Sequence, residues 1–249
     1  MATTQAEVFS DPRVHKFDVT EYYKLGDLGL FNDKHVELIE GEVLDRHQEP
    51  DPRLHIWTSR EYYLMAEAGL FGDRRVELID GRIVEMSALN RPHVRAVKKA
   101  VRIFERIFAD GYFVQDQAPL NLDDLDHYSQ PEPDVAVIKG HEDDYIDEHP
   151  TQATLVLEVS FATLRFDREK KASLYAKAGI PEYWILNLLQ RQLEVFRQPV
   201  ADASAPFWFS YAEKLVFESG ESVSPLAKPE VTINVADLIP WPKGKEPLQ

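Results

Sequence analysis

The 249-residue sequence contains no cysteine. This absence excludes disulfides, thiolate metal sites and cysteine nucleophiles, and it fits a reducing cytoplasm without proving one. The sequence also lacks an apolar run long enough to span a membrane, and residues 1–5 do not have the pattern of a signal peptide. We therefore expect a cytoplasmic protein with no membrane partner.

Positive charge is scarce, since 28 Lys and Arg residues stand against 43 Asp and Glu residues, for a net charge of −15. Such a balance argues against a generic nucleic-acid binder. The charge is unevenly distributed, however. Residues 116–148 hold eleven acids and one base, whereas residues 91–106 hold six bases and one acid. We expect the acidic segment to attract cations and the basic one to contact phosphates, although solvated surface explains either equally well.

The composition, 44% hydrophobic and 29% charged, is typical of a globular protein with a sizeable core. Within it, residues 21–41 align without gaps onto residues 61–81, with 12 of 21 positions identical. Each copy begins with the pattern of a helix capping box and ends in a Val-Glu-Leu-Ile strand that runs into a turn. Two copies are too few for a solenoid, so we interpret them as a tandem duplication of a helix-hairpin unit.

The duplication predicts two domains, a helix-hairpin unit over residues 1–50 and a larger domain over residues 51–249. Only the second copy leads directly into the rest of the chain. The first copy either packs on its sibling and extends the sheet, or pairs with a partner chain as a dimer arm. A homodimer is therefore possible.

Ionisable residues stand at the ends of three consecutive predicted elements. Asp134 opens an apolar strand, Glu158 lies near the end of the next strand, and Lys170 and Lys171 lie in the helix that follows. Two carboxylates at neighbouring strand ends, with a nearby lysine, are typical of a divalent-metal site for phosphodiester hydrolysis. Each charge taken alone is also explained as a solvated strand end or helix face. Their joint occurrence in this order favours the metal site.

Hydrophobic periodicity predicts the elements around these residues. The predicted order is a helix from Pro92 to Gly111, strands at 112–122, 134–138 and 154–159, a helix at 167–178, and strands at 182–187 and 192–197. From about Phe207 onward we expect a strand-poor, proline-rich tail.

This order and its residues resemble the PD-(D/E)xK nuclease superfamily and, within it, the Uma-type family of bacterial restriction endonuclease-like proteins. The similarity covers about residues 57–240. The matching stretches are VELIDG (76–81), PEPDVAV (131–137), HPT (149–151), LVLEVS (155–160) and RFDREKKASLYAKAGIPEYW (165–184). The resemblance implies an α/β (α+β) fold with a restriction-endonuclease-like core, helix-strand-strand-strand-helix-strand around a central mixed sheet, preceded by the duplicated helix-hairpin unit. It also implies a bacterial endonuclease that uses Mg²⁺ or Mn²⁺ and cleaves DNA.

The resemblance assigns roles residue by residue. Asp134 would bind the metal directly, and Glu158 would share it. The usual superfamily lysine two positions after the second acid is absent, because Ser160 stands there. In this family the lysine comes from the next helix, and Lys171 matches it better than Lys170.

The matching hairpin adds Glu77, which would complete the metal shell or hold a bound water. A salt bridge within the hairpin is the alternative. For nucleic-acid binding we assign one helix, with the candidate residues His93, Arg95, Lys98, Lys99 and Arg102. His93 is also explained by capping or packing.

Three functions stay open at this stage. The first is a metal-dependent endonuclease acting on DNA. The second is a catalytically silent nuclease-fold module that binds without turnover, which the acidic charge favours. The third is a metal-dependent hydrolase of RNA or small phosphate esters. No residue pattern indicates recognition of a DNA sequence.

Overall fold

A computed structural model describes residues 12–32, 34–46, 53–122 and 128–240 of the chain. The chain divides into two compact units. The repeat unit consists of Pro12–Ala88 and Asn121–Pro131, and the core unit consists of Leu89–Leu120 and the chain from Glu132 onward. The predicted domain boundary at residue 50 lies outside the described residues, and both copies of the duplication belong to the repeat unit.

Each copy in the repeat unit folds as one helix followed by a β-hairpin. The first copy comprises β1 (Arg13–Val14), α1 (Val19–Asp27), β2 (Val36–Ile39) and β3 (Glu42–Asp45), and the second comprises β4 (Arg53–Leu54), α2 (Ser59–Glu67), β5 (Val76–Ile79) and β6 (Arg82–Glu85). Both helices carry the predicted capping box, formed by Asp18 with Glu21 and by Thr58 with Glu61. The hairpin turns place Asp80 and Gly81 at positive φ, as a tight two-residue turn requires.

The two copies exchange their first strands. β1 of the first copy pairs with β6 of the second, and β4 of the second pairs with β3 of the first. Their side chains form one shared apolar cluster that includes Leu25 and Met65, both fully buried. Of the two arrangements expected for the first copy, the structure shows the one in which it packs on its sibling.

The core unit contains a six-stranded mixed sheet in the order β12-β11-β10-β9-β8-β7. Only β9 and β10 run parallel, and the other neighbours are antiparallel. Its elements are α3 (Arg91–Ile107), β7 (Tyr112–Gln115), β8 (Val135–Lys139), a 3-10 turn (Glu142–Tyr145), β9 (Leu155–Ser160), α4 (Leu164–Phe166), a π-helical segment (Asp167–Lys171), α5 (Ala172–Lys177), β10 (Glu182–Asn187), β11 (Gln192–Ala201), β12 (Phe209–Glu218), β13 (Ser222–Val223), β14 (Ile233–Asn234) and α6 (Val235–Leu238).

Helices cover both faces of this sheet, which explains why β8, β9 and β10 are almost continuously buried. On one face, Phe104 of α3 packs edge-on against Trp184 of β10, with 5.7 Å between ring centroids. Tyr183, the neighbour of Trp184 in the strand, points to the opposite face. There its ring packs against that of Tyr175 in α5, with 5.0 Å between ring centroids. The predicted core order, one helix, three strands, a helix and a strand, is confirmed.

Two sequence predictions about the elements were wrong. The strand expected over residues 112–122 ends at Gln115. The tail from Phe207 is not strand-poor, because β12 spans ten residues and pairs along most of β11. Among the residues described, no helix has both the length and the apolar character needed to cross a membrane.

Candidate active site

Glu158 is a carboxylate placed in the middle of a buried strand. All six residues of β9 are buried, and Glu158 is only 6% exposed. Its Oε1 accepts hydrogen bonds from Lys171 Nζ at 3.0 Å and from the Tyr175 hydroxyl at 2.6 Å. A carboxylate at such a position would be strongly destabilising without partners of this kind. The helical segment that follows β9 therefore keeps this acid inside the core by supplying it with the Lys171 ammonium and the Tyr175 hydroxyl.

Asp134 lies directly beside Glu158. The antiparallel register pairs Val135 with Leu157, which sets the preceding Asp134 opposite Glu158. Asp134 is 6% exposed, and its amide donates to Glu158 Oε2 at 3.3 Å. Its Oδ2 accepts from the Val159 amide at 2.8 Å and lies 2.9 Å from His93 Nε2. The two predicted metal ligands are thus neighbours on adjacent strands.

Lys171 comes from the helical segment after β9. This segment contains one π-helical stretch, Asp167–Lys171, of a kind that is frequent at functional sites. The Lys171 side chain is 1% exposed and reaches Glu158. Lys170 is exposed, and its Nζ lies 5.5 Å from the centroid of the Phe207 ring. The structure therefore brings Lys171, and not Lys170, to the two carboxylates.

Asp167 is a third buried acid near Lys171, and the sequence analysis did not assign it a role. Its side chain is 3% exposed and accepts a hydrogen bond from Thr163 Oγ1 at 2.7 Å. The signal was present as an acid four residues before Lys171. In a run of five consecutive charged residues, however, spacing alone did not show which of them face the core.

Burial governs the protonation of this cluster. It raises the pKa of Glu158, an effect that the Lys171 charge opposes and the Asp134 charge reinforces. Burial, together with the nearby charge of Glu158, also raises the pKa of Asp167 to about 8, against the opposing hydrogen bond from Thr163. Glu158 and Asp167, two buried acids near one lysine, resist full ionisation. An added cation would relieve that resistance.

The donor set fits a hard divalent cation. No group of three or more His, Asp or Glu side chains in the described ranges is arranged as a ready metal cage. Mg²⁺ does not require one, because it is commonly bound through one or two carboxylates and keeps several waters. Asp134 and Glu158, adjacent and buried, could supply those two carboxylates.

The remaining predicted residues are spread over both units. Glu77 lies on β5 of the repeat unit, opposite Val84 and 2% exposed, and its role as a metal ligand stays a prediction. In the core unit, His93 contacts Asp134 directly. Lys99 Nζ donates to the carbonyls of Asp237 and Ile239, both at 2.9 Å, so it also ties α3 to the C-terminal helix.

An exposed basic stripe runs along α3. Its members are spaced by four, three and four residues, which places them on one helix face. They are Arg91, Arg95, Lys98 and Arg102, all exposed. Three of the predicted nucleic-acid contacts therefore lie together on the surface of the helix whose first turn carries His93.

Comparisons with known proteins report similarity to a protein family and to a solved structure. The model of the Uma2 family, described as "Putative restriction endonuclease", matches residues 59–236. The match begins in the second copy of the duplication. The crystal structure of a putative nuclease belonging to DUF820 from Anabaena variabilis ATCC 29413 is similar in fold, with a TM-score of 0.52 and 15% sequence identity over 67% of this chain and 90% of that chain. A search of curated proteins found no match.

Proposed function

Since the chain belongs to the Uma2 family of putative restriction endonucleases, we propose that it is a metal-dependent endonuclease that cleaves phosphodiester bonds in DNA. One observation carries the proposal. Asp134, Glu158 and Lys171 are all buried and are joined through Glu158 by hydrogen bonds of 3.0 and 3.3 Å. Burying ionisable groups is costly even when they are paired, so such a cluster favours a chemical role over a structural one.

Asp134 and Glu158 would hold Mg²⁺ or Mn²⁺. The bound ion would polarise a phosphate oxygen and neutralise charge that builds up during hydrolysis. Nuclease folds of the restriction-endonuclease type generally use divalent metals, and the carboxylate pair suits either ion. Glu77 keeps its sequence-based assignment as a further ligand.

Lys171 would orient the attacking water and offset negative charge on the phosphate. Its ammonium is held at 3.0 Å from Glu158 Oε1, and the Tyr175 hydroxyl binds the same oxygen at 2.6 Å. These two donors fix the carboxylate in one orientation. His93 and the Val159 amide fix Asp134 in the same way. Such surrounding hydrogen bonds commonly set metal affinity in enzymes of this type.

DNA is the substrate that the charge distribution supports best. A protein of net charge −15 repels a polyanion unless basic residues are concentrated at the contact. The stripe of Arg91, Arg95, Lys98 and Arg102 on α3 is such a concentration, and α3 also carries His93 at the site. His93 and the stripe lie on opposite sides of α3, so a duplex that contacts the stripe would reach the carboxylates around the N-terminal end of the helix.

The test is cleavage of supercoiled plasmid, single-stranded DNA and RNA in Mg²⁺, Mn²⁺ or EDTA, by wild type and by Asp134→Asn and Glu77→Gln. We expect plasmid cutting in either metal, none in EDTA, and none by Asp134→Asn. Cutting of RNA alone would replace the proposed substrate. Calorimetric binding of Mn²⁺ without cleavage of any substrate would favour the nuclease-fold binding module instead.

A further inference from the structure

We propose that the helix-hairpin unit is a self-pairing module, and that this chain carries both halves of a dimer interface in tandem. The partner of each module is another copy of the module. In this chain the partner lies 40 residues away in the same polypeptide. The inference concerns the repeat unit alone and does not depend on the nuclease activity.

The exchanged strands are the first observation. The His15 amide donates to the carbonyl of Ile83 at 2.8 Å, and the His55 amide donates to the carbonyl of Val43 at 2.8 Å. A shift of 40 residues converts one contact into the other. Each copy thus lends its first strand to the hairpin of its sibling, as two subunits do when they swap strands across an isologous interface.

Ion pairs between the copies show the same reciprocity. Lys34 Nζ donates to Glu61 Oε1 at 2.6 Å, and Arg74 donates to Glu21 Oε1 at 2.5 Å. The shift again maps one pair onto the other, since Lys34 corresponds to Arg74 and Glu21 to Glu61. Both glutamate side chains are only 13% exposed. Each module therefore presents one acid and one base, and any module is complementary to another of its kind.

The apolar contact between the copies is also two-sided. Phe17 and Trp57, which correspond to each other, lie with ring centroids 5.4 Å apart. The corresponding Leu25 and Met65 are both fully buried in the shared cluster. Neither copy has a closed core of its own. In this chain each copy therefore completes the apolar core of the other.

Because the two copies are covalently linked, each pairs with its sibling and not with a copy in another chain. A short tether gives the two copies an effective concentration on the order of millimolar, which favours pairing within one chain. Specificity between two such similar modules then rests on the two reciprocal ion pairs. Reversing the charges of one copy removes its complementarity to its sibling, but leaves it complementary to the same copy in another chain.

The experiment uses the full chain with Glu21→Lys and Lys34→Glu. Within one chain, the two reversed charges now face the like charges of Arg74 and Glu61. Between two chains, the first copies remain complementary in charge to each other, and so do the second copies. We expect sedimentation equilibrium at about 100 µM, a tenth of the millimolar effective concentration of the tether, to show twice the wild-type mass. Adding Glu61→Lys and Arg74→Glu restores complementarity within the chain and should restore the wild-type mass.

A matched control reverses one acid and one base that pair within the first copy. Glu37 and Arg46 form a salt bridge of 2.8 Å, so Glu37→Lys with Arg46→Glu keeps the pair and should leave the mass unchanged. The proposal is overturned if the Glu21→Lys, Lys34→Glu variant keeps the wild-type mass. It is equally overturned if that variant loses its circular dichroism and the fourfold variant does not recover it.

Discussion

At the residue scale, one lysine serves a cluster of buried acids. Lys171 contacts Glu158 directly, and its charge also acts on Asp167. The sequence was sufficient to single out Glu158, because an acid within an apolar strand is costly to bury unless it has a partner. It was insufficient for Asp167, since its burial depends on how the π-helical segment turns its charged run.

Asp167 makes the stability of the folded protein depend on pH. Its pKa is raised to about 8 in the folded protein from 3.8 when exposed, because burial and the nearby Glu158 disfavour the charged form. The stabilising contribution of its proton is complete below pH 3.8 and is lost progressively as pH rises through about 8. Asp167→Asn removes this dependence and keeps an acceptor for Thr163. In EDTA, urea titrations should show the variant gaining stability over wild type between pH 5 and pH 9.

The control is Asp147→Asn, which changes an exposed acid two residues after the 3-10 turn. Its stability relative to wild type should not vary over the same pH range. An Asp167→Asn difference that is equal at pH 5 and pH 9 would show that Asp167 is already ionised in the folded protein.

At the element scale, sequence patterns predicted structure wherever the determinant is local. The capping boxes, the hairpins and the buried strands β8 to β10 follow from spacing, turn residues and apolar runs. β12 was missed because its exposure alternates along an edge strand, so its polar residues resemble those of a loop. The strand exchange between the copies was also unpredictable, because each copy offers the same pairing edge and the sequence does not say which one is used.

The hairpin turn of the second copy leaves no room for a side chain at Gly81. Gly69 and Gly81 both have φ of +69°, but a Cβ at Gly81 would overlap Ile56 Cγ2, whereas a Cβ at Gly69 would meet nothing within 4 Å. Gly69→Ala should cost about 1–2 kcal/mol from left-handed strain alone. Gly81→Ala adds overpacking and should cost about 2–5 kcal/mol in total. Chemical denaturation measures both, and equal losses would show that Ile56 yields freely.

At the scale of the whole molecule, the proposed function depends on where a small amount of positive charge is placed. The chain carries 43 acids, yet α3 presents Arg91, Arg95, Lys98 and Arg102 on one exposed face. Composition alone argues against nucleic-acid binding, and only the helical spacing of these four bases shows that they share one exposed face.

Removal of two stripe charges should weaken DNA binding and flatten its salt dependence. Each phosphate contact contributes about 0.9 to the slope of log K against log salt, so Arg95→Ala with Arg102→Ala should lower the slope by about two. Lys139→Ala with Lys177→Ala removes the same charge from exposed positions elsewhere. That control should change the slope little. Fluorescence anisotropy in EDTA measures binding without cleavage, and equal slopes for the two variants would exclude α3 as the contact surface.

The central claim is that Lys171 acts at the carboxylate pair of Asp134 and Glu158. The most direct measurement is the rate of plasmid cleavage in Mn²⁺ by wild type, Lys171→Met and Lys170→Met. The two substitutions remove the same charge from adjacent residues, one buried against Glu158 and one exposed. We predict that Lys171→Met loses about 100-fold or more, while Lys170→Met cuts like wild type. Wild-type cutting by Lys171→Met, with its fold intact, would contradict the account.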